Sequence, residues 1–151
     1  VYKRQELGKR NLTFDLQLTP ELILQAASVM SSAPDTKIVL CHAGSPADRS
    51  EQGLEQWARD LRLLSDMDNI FCKLSGLGMF DHNWTENSIA PIVNECLQQF
   101  GPSRCMFGSN FPVDSLYSDY SSLIKAYRNI IPKLASETVF DKTARDFYKI
   151  H

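Results

Sequence analysis

The sequence lacks an excess of charge of either sign, and it lacks long apolar runs. Its 151 residues contain 16 Lys and Arg against 18 Asp and Glu, which gives a formal net charge of −2. This balance gives no electrostatic reason to expect binding to nucleic acid or to an anionic membrane surface. No apolar run approaches the ~20 residues that a membrane-spanning helix needs. We therefore expect neither nucleic acid nor membrane as a partner.

The N-terminus lacks an initiator methionine and the apolar segment of a secretory signal peptide. We therefore expect a segment that begins inside a longer gene product. Cysteine is scarce, and the four residues Cys41, Cys72, Cys96 and Cys105 form no CxxC pair. That spacing argues against a zinc motif and against the disulfide framework of a small secreted domain. Buried reduced thiols in one cytoplasmic domain are the expectation.

What the sequence does contain is a repeated pattern of a short apolar strand, a polar loop and an amphipathic helix. Strands are predicted at 12–18, 38–41, 70–75 and 105–108. The first alternates strictly, which places Asp15 and Gln17 on the face opposite to Leu16. One helix is predicted to follow Thr19, which serves as its N-cap. Three more are predicted from apolar stripes within 54–64, 89–100 and 120–127. Ser136 is predicted to cap a last helix over 139–148.

Four strands that alternate with helices predict a parallel α/β sheet. Two architectures fit this pattern. One is a small doubly wound sheet, and the other is half of a (β/α)8 barrel, which needs ~250 residues in full. In both, ligands bind at the carboxyl ends of the strands. Gln17, His42, Lys73, Ser75 and Asn110 lie at or next to these ends and are expected to converge there.

Three motifs at the strand ends carry a family resemblance: His42-Ala43-Gly44, Lys73-Leu74-Ser75-Gly76-Leu77 and the run from Met106 to Asp114. The chain resembles the C-terminal half of an amidohydrolase-related TIM-barrel hydrolase. The nearest subgroup contains the sugar-acid lactonases and 2-pyrone-4,6-dicarboxylate lactonase. The resemblance implies that residues 1–151 form strands five to eight of a (β/α)8 barrel, as four βα units plus a terminal helix.

The resemblance also implies where the chemistry lies. In the family, a His-x-His pair on the first strand, a His on the sixth and an Asp on the eighth surround the lactone. Members work with one divalent metal ion or with none. His42 matches the sixth-strand His, so it is expected to polarise the lactone carbonyl or to ligate zinc or manganese. Asn110 lies where many members carry Asp, and the His-x-His pair is absent.

The remaining candidates are weighed from their chemistry. Asn110 cannot act as a general base, but its amide can orient water or donate to a developing oxyanion. Asp114 is the nearest carboxylate that could replace the base, although a loop aspartate often serves only as a cap. The other substrate-binding candidates are Gln17, Lys73, Ser75 and Arg49. Each of the four also has a role without substrate. Gln17 could form hydrogen bonds inside the barrel, and Lys73 could extend to solvent. Ser75 could serve a tight turn, and Arg49 could be a solvated loop residue.

The first functional hypothesis is a hydrolase of a cyclic ester, such as the lactone of a sugar acid, in which water attacks the carbonyl. It is expected to need the missing N-terminal half. The alternative is a non-catalytic half-barrel scaffold or binding module, because open sheet edges and an uncovered lumen face invite self-association or pairing with an N-terminal half. A free-standing doubly wound binding domain ranks last, since the chain lacks a phosphate-cradling glycine loop.

Overall fold

The computed structural model describes residues 2–150 and contains a four-stranded parallel sheet. The strands are β1 (Phe14–Leu16), β2 (Ile38–Leu40), β3 (Ile70–Leu74) and β4 (Cys105–Phe107), and they lie in the order of the chain. Leu16 pairs with Leu40, Leu40 with Cys72, and Leu74 with Phe107. This in-order parallel register confirms the predicted α/β sheet, and it brings all four carboxyl ends to one edge.

Helices connect the strands and pack mainly on one face of the sheet. They are α1 (Tyr2–Lys9), α2 (Ile23–Met30), α3 (Glu51–Ser65), α4 (Glu86–Phe100), α5 (Tyr120–Ile130), α6 (Lys133–Glu137) and α7 (Thr143–Tyr148). Side-chain caps begin the longer ones: Ser50 accepts from the backbone of Gly53 in α3, and Thr85 with Ser88 forms a capping box in α4. The sequence did not predict α1, because its eight residues carry no apolar stripe.

The predicted cap at Ser136 is wrong. The helix has already begun at Lys133, directly after Pro132, so Ser136 lies inside α6. A π-helical turn over Thr138–Lys142 then joins α6 to α7 without a break. Pro132 sets the boundary here because proline disfavours helical backbone in the residue before it: Ile131 is extended, so α5 ends at Ile130 and the next helix begins at Lys133.

The main core lies between the sheet and its connecting helices. Ile38, Leu40, Ile70 and Leu74 of the sheet are fully buried there, together with Leu61 and other apolar residues of α3 and α4. All four cysteines are free and buried, as the sequence predicted. The helices within residues 2–150 are all too short or too polar to span a bilayer.

The opposite face of the sheet, called the inner face below, is partly covered by α7. Phe147 of α7 is fully buried against Val39 and Met106. Thr143 donates to the Pro102 carbonyl oxygen just before β4 (3.1 Å). The sequence predicted that this inner face, the lumen side of the barrel, is uncovered. That prediction is wrong where α7 folds back across the sheet.

Candidate functional site

A cavity of about 530 Å³ opens at the carboxyl ends of the strands on the inner face. Four of the residues that the sequence singled out line it: His42, Lys73, Ser75 and Asn110. Ala144 and Tyr148 of the α7 helix also line it. The parallel register explains the convergence, since the residues that follow neighbouring parallel strands meet at one edge.

His42 lies just beyond β2 in a left-handed segment. Its φ is 55°, and Ala43 and Ser45 also have positive φ values, of 52° and 56°. Each such non-glycine residue costs on the order of 1–3 kcal/mol, and this kind of strain concentrates at functional sites. The Nδ1 atom lies 3.0 Å from Ser75 Oγ. Burial lowers the pKa of His42, although a hydrogen bond with the Ser75 backbone opposes the shift, and the lowered pKa favours the neutral imidazole.

Gly76 makes room for that imidazole. Its φ is +64°, a conformation that side chains rarely adopt. A Cβ atom there would overlap His42 Nδ1 and would lie only 3.0 Å from His42 Cγ and 2.7 Å from Met79 Cε. Glycine at this position therefore serves both the turn after β3 and the placement of His42.

Asn110 and Asp114 form a second polar pair at the end of β4. The Asn110 Nδ2 atom donates to Asp114 Oδ1 (2.9 Å), and Asn110 has a φ of 56°. Asp114 is fully buried, and its Oδ2 accepts no hydrogen bond within residues 2–150. Burial raises the pKa of Asp114, partly offset by the bond from Asn110. Asn110 lines the cavity and Asp114 does not, so the carboxylate is linked to the cavity through the amide that it holds.

Lys73 does not extend into solvent. Its Nζ atom donates to Asp15 Oδ2 (2.7 Å) and to Tyr148 Oη (2.8 Å), while Tyr148 Oη donates to the Asp15 carboxylate (2.9 Å). Partial burial opposes protonation, but these two hydrogen bonds leave the pKa of Lys73 raised. The sequence placed Asp15 correctly on the inner face. It gave no signal for Tyr148, which lies 133 positions from Asp15.

Two of the proposed substrate-binding residues do not line this cavity. Gln17 follows β1 and is exposed. Arg49 is partly buried, and its Nη2 atom donates to the Leu77 carbonyl oxygen (3.1 Å), which ties two loops together. The direct roles of both residues in substrate binding stay predictions.

The residues that the structure describes do not form a complete metal site. Among residues 2–150, no three His, Cys, Asp or Glu side chains come together as metal ligands. His42 Nδ1 lies within hydrogen-bonding distance of Ser75, and the Asp114 carboxylate is held by Asn110. Among the described residues, His42 therefore offers at most a single ligand to a metal ion.

Comparison with known proteins identifies relatives over nearly the whole chain. A family model described as Amidohydrolase matches residues 5–150. An uncharacterised protein, y4mH, of Sinorhizobium fredii is 36% identical over 149 residues, which cover 97% of this chain and 50% of the relative. An L-fucono-1,5-lactonase of Burkholderia ambifaria is 29% identical over 154 residues, covering 93% of this chain and 51% of the relative. The chain thus spans about half the length of these curated relatives.

Solved structures agree with the fold. An amidohydrolase of Burkholderia multivorans with bound HEPES superposes with a TM-score of 0.92 at 25% identity, covering 98% of this chain and 56% of that one. A second crystal form, with bound zinc, gives a TM-score of 0.91 at 24% identity over the same shares. The four βα units correspond to the C-terminal half of a TIM-barrel-type α/β fold, which confirms the predicted architecture over the doubly wound alternative.

Proposed function

Because the chain belongs to the amidohydrolase family, we propose that it supplies the C-terminal half of the active site of a hydrolase that opens sugar-acid lactones. The observation that carries the proposal is the cavity in which the neutral His42 imidazole, Ser75 and the Asn110 amide follow three neighbouring strands. The relative named L-fucono-1,5-lactonase supports a cyclic ester as the substrate class.

The chemistry that this half site can supply is polarisation of the carbonyl and placement of water. A neutral imidazole donates one N–H to the carbonyl oxygen as negative charge develops there. The Asn110 amide, fixed by Asp114, holds the attacking water. Addition of water to the carbonyl carbon and cleavage of its bond to the ring oxygen give the open hydroxy acid. One proton of the water passes to the released alkoxide, so the atoms balance.

The residues that complete the site are assigned to the other half of the barrel. In the described chain, β1 and β4 are both sheet edges, and an unpaired edge favours association with further strands. We expect the isolated 151-residue chain to associate or to pair with an N-terminal half, and light scattering tests this. A stable monomer of 17.1 kDa with a single two-state melt would contradict the pairing.

Hydrolysis of L-fucono-1,5-lactone and D-glucono-1,5-lactone by the intact protein, as its gene encodes it, tests the function. His42→Asn is the informative variant, since asparagine tolerates the left-handed backbone. We expect its kcat/KM to fall by about 10²-fold or more, comparable with the loss of one oxyanion donor. His82→Asn is the matched control, because His82 is exposed and stacks on Tyr117. Equal activity of His42→Asn and wild type would refute the assignment, and no turnover by wild type would favour the binding-module alternative.

A further inference from the structure

The hydrogen bonds among Asp15, Lys73 and Tyr148 link the last helix of the chain to the cavity. We propose that Tyr148 and Asp15 are positioning residues, which hold the Lys73 ammonium so that it donates to an oxygen atom of the bound substrate. This proposal rests on the proposed function. It extends the site to α7, a helix that neither the polar strand ends nor the sequence motifs linked to the site.

The donor count of Lys73 supports this role. An ammonium group has three N–H donors. Asp15 Oδ2 and Tyr148 Oη accept two of them at 2.7 and 2.8 Å. Lys73 lines the cavity, and its side chain is 21% exposed, so the third N–H can reach an acceptor there.

The charge of the network limits what that acceptor is. Asp15 carries the negative charge that balances the ammonium, and the two groups form an ion pair. The network as a whole therefore presents a hydrogen-bond donor without net charge. We assign a hydroxyl or ring oxygen of a neutral lactone as the acceptor in preference to a second carboxylate, because a carboxylate would have to compete with Asp15.

The packing of α7 explains how Tyr148 is held in place. Its neighbour Phe147 is fully buried between Val39 and Met106 on the inner face. The rings of Phe147 and Tyr148 meet edge to face, with centroids 4.8 Å apart. Beyond the helix, the Lys149 Nζ atom donates to the carbonyl oxygen of Asn11, just before β1 (3.0 Å). The phenol is thus fixed from both sides and is pre-organised for the ammonium.

The kinetic test uses Tyr148→Phe in the intact protein. This change keeps the ring and removes only the hydroxyl that accepts from Lys73 and donates to Asp15. We expect KM for the lactone to rise about 3- to 10-fold with kcat nearly unchanged, since the lost contact acts equally on bound substrate and transition state. Tyr120→Phe is the matched control, because Tyr120 is half exposed on α5 and packs on Phe111.

A double-mutant cycle separates positioning from a structural role. If Tyr148 acts through Lys73, then Tyr148→Phe has no further effect on KM once Lys73→Met is present. Independent, additive effects of the two changes would overturn the proposal. So would an unchanged KM in Lys73→Met.

A second readout does not need turnover. Acetylation of Lys73 by acetic anhydride, followed by mass spectrometry, reports how firmly the ammonium is held. We expect Tyr148→Phe and Asp15→Asn each to speed this acetylation several-fold relative to the exposed Lys125. An unchanged rate in both variants contradicts the positioning roles even if lactones are hydrolysed. Faster labelling in a protein that hydrolyses no lactone refutes the proposed function and supports the positioning of Lys73.

Discussion

Gly76→Ala should displace the His42 imidazole and should cost activity far beyond its effect on stability. The added Cβ would lie 3.0 Å from His42 Cγ and would overlap Nδ1. Ordinary contacts between heavy atoms are about 3.5–4.0 Å. The ring must therefore move by roughly 1 Å or rotate, and its contact with Ser75 Oγ at 3.0 Å is then lost.

The two effects of this substitution have different sizes. The left-handed backbone at φ +64° costs an alanine about 1–2 kcal/mol. In a protein of 150–250 residues, that free energy lowers Tm by about 2–4 °C per kcal/mol. A displacement of about 1 Å at a reacting group costs on the order of 10²-fold in rate. We expect kcat/KM of the intact protein to fall by that factor while the protein still folds.

Gly101→Ala is the matched control. Gly101 also has a positive φ, of +74°, but an added Cβ there meets no atom within 4 Å. It should lower Tm by a similar amount or more, because its backbone conformation also disfavours alanine, and it should leave lactone hydrolysis intact. Thermal melts and kcat/KM of both variants make the comparison. If Gly76→Ala and Gly101→Ala lose the same activity, or if Gly76→Ala loses none, then His42 is not held as described.

Three further substitutions test the electrostatics of the site. Asp114→Asn should melt no lower than wild type at pH 7, because the raised pKa of Asp114 means that its buried charge destabilises the fold. This destabilisation begins above the ordinary pKa of an unfolded aspartate and is complete above the raised pKa, so the difference in Tm should narrow on acidification. The pKa of His42 is lowered in the folded protein, so below the ordinary histidine pKa of 6.5 the unfolded chain binds a proton more readily than the folded protein does. This difference lowers Tm between about pH 7 and 5, and His42→Asn should reduce that loss. Asn110→Asp should place two carboxylates in contact and raise the pKa of one of them. That group should then add a limb to the pH dependence of kcat/KM. A pH profile like that of wild type would show that position 110 does not reach the reaction.

Local pattern was sufficient for the strands and for most helices. Strand positions followed from short apolar runs, and the helices after β2 and β3 followed from apolar stripes. The sequence did not predict the side-chain caps of these two helices, Ser50 and Thr85. Where the pattern was weak, prediction was wrong or silent. The helix α1 has no apolar stripe, and Ser136 resembled a cap although the helix had begun at Lys133.

By itself, then, the sequence determined which residues end the strands. Since parallel strands share one direction, it also determined that His42, Lys73, Ser75 and Asn110 would meet at one edge. Only the tertiary structure decided what each side chain contacts there. The burial of Asp114 and the contact of Tyr148 with Lys73 and Asp15 depend on segments far apart in the chain. Periodicity and caps report interactions within a few residues, whereas such contacts arise from the packing of whole elements against one another.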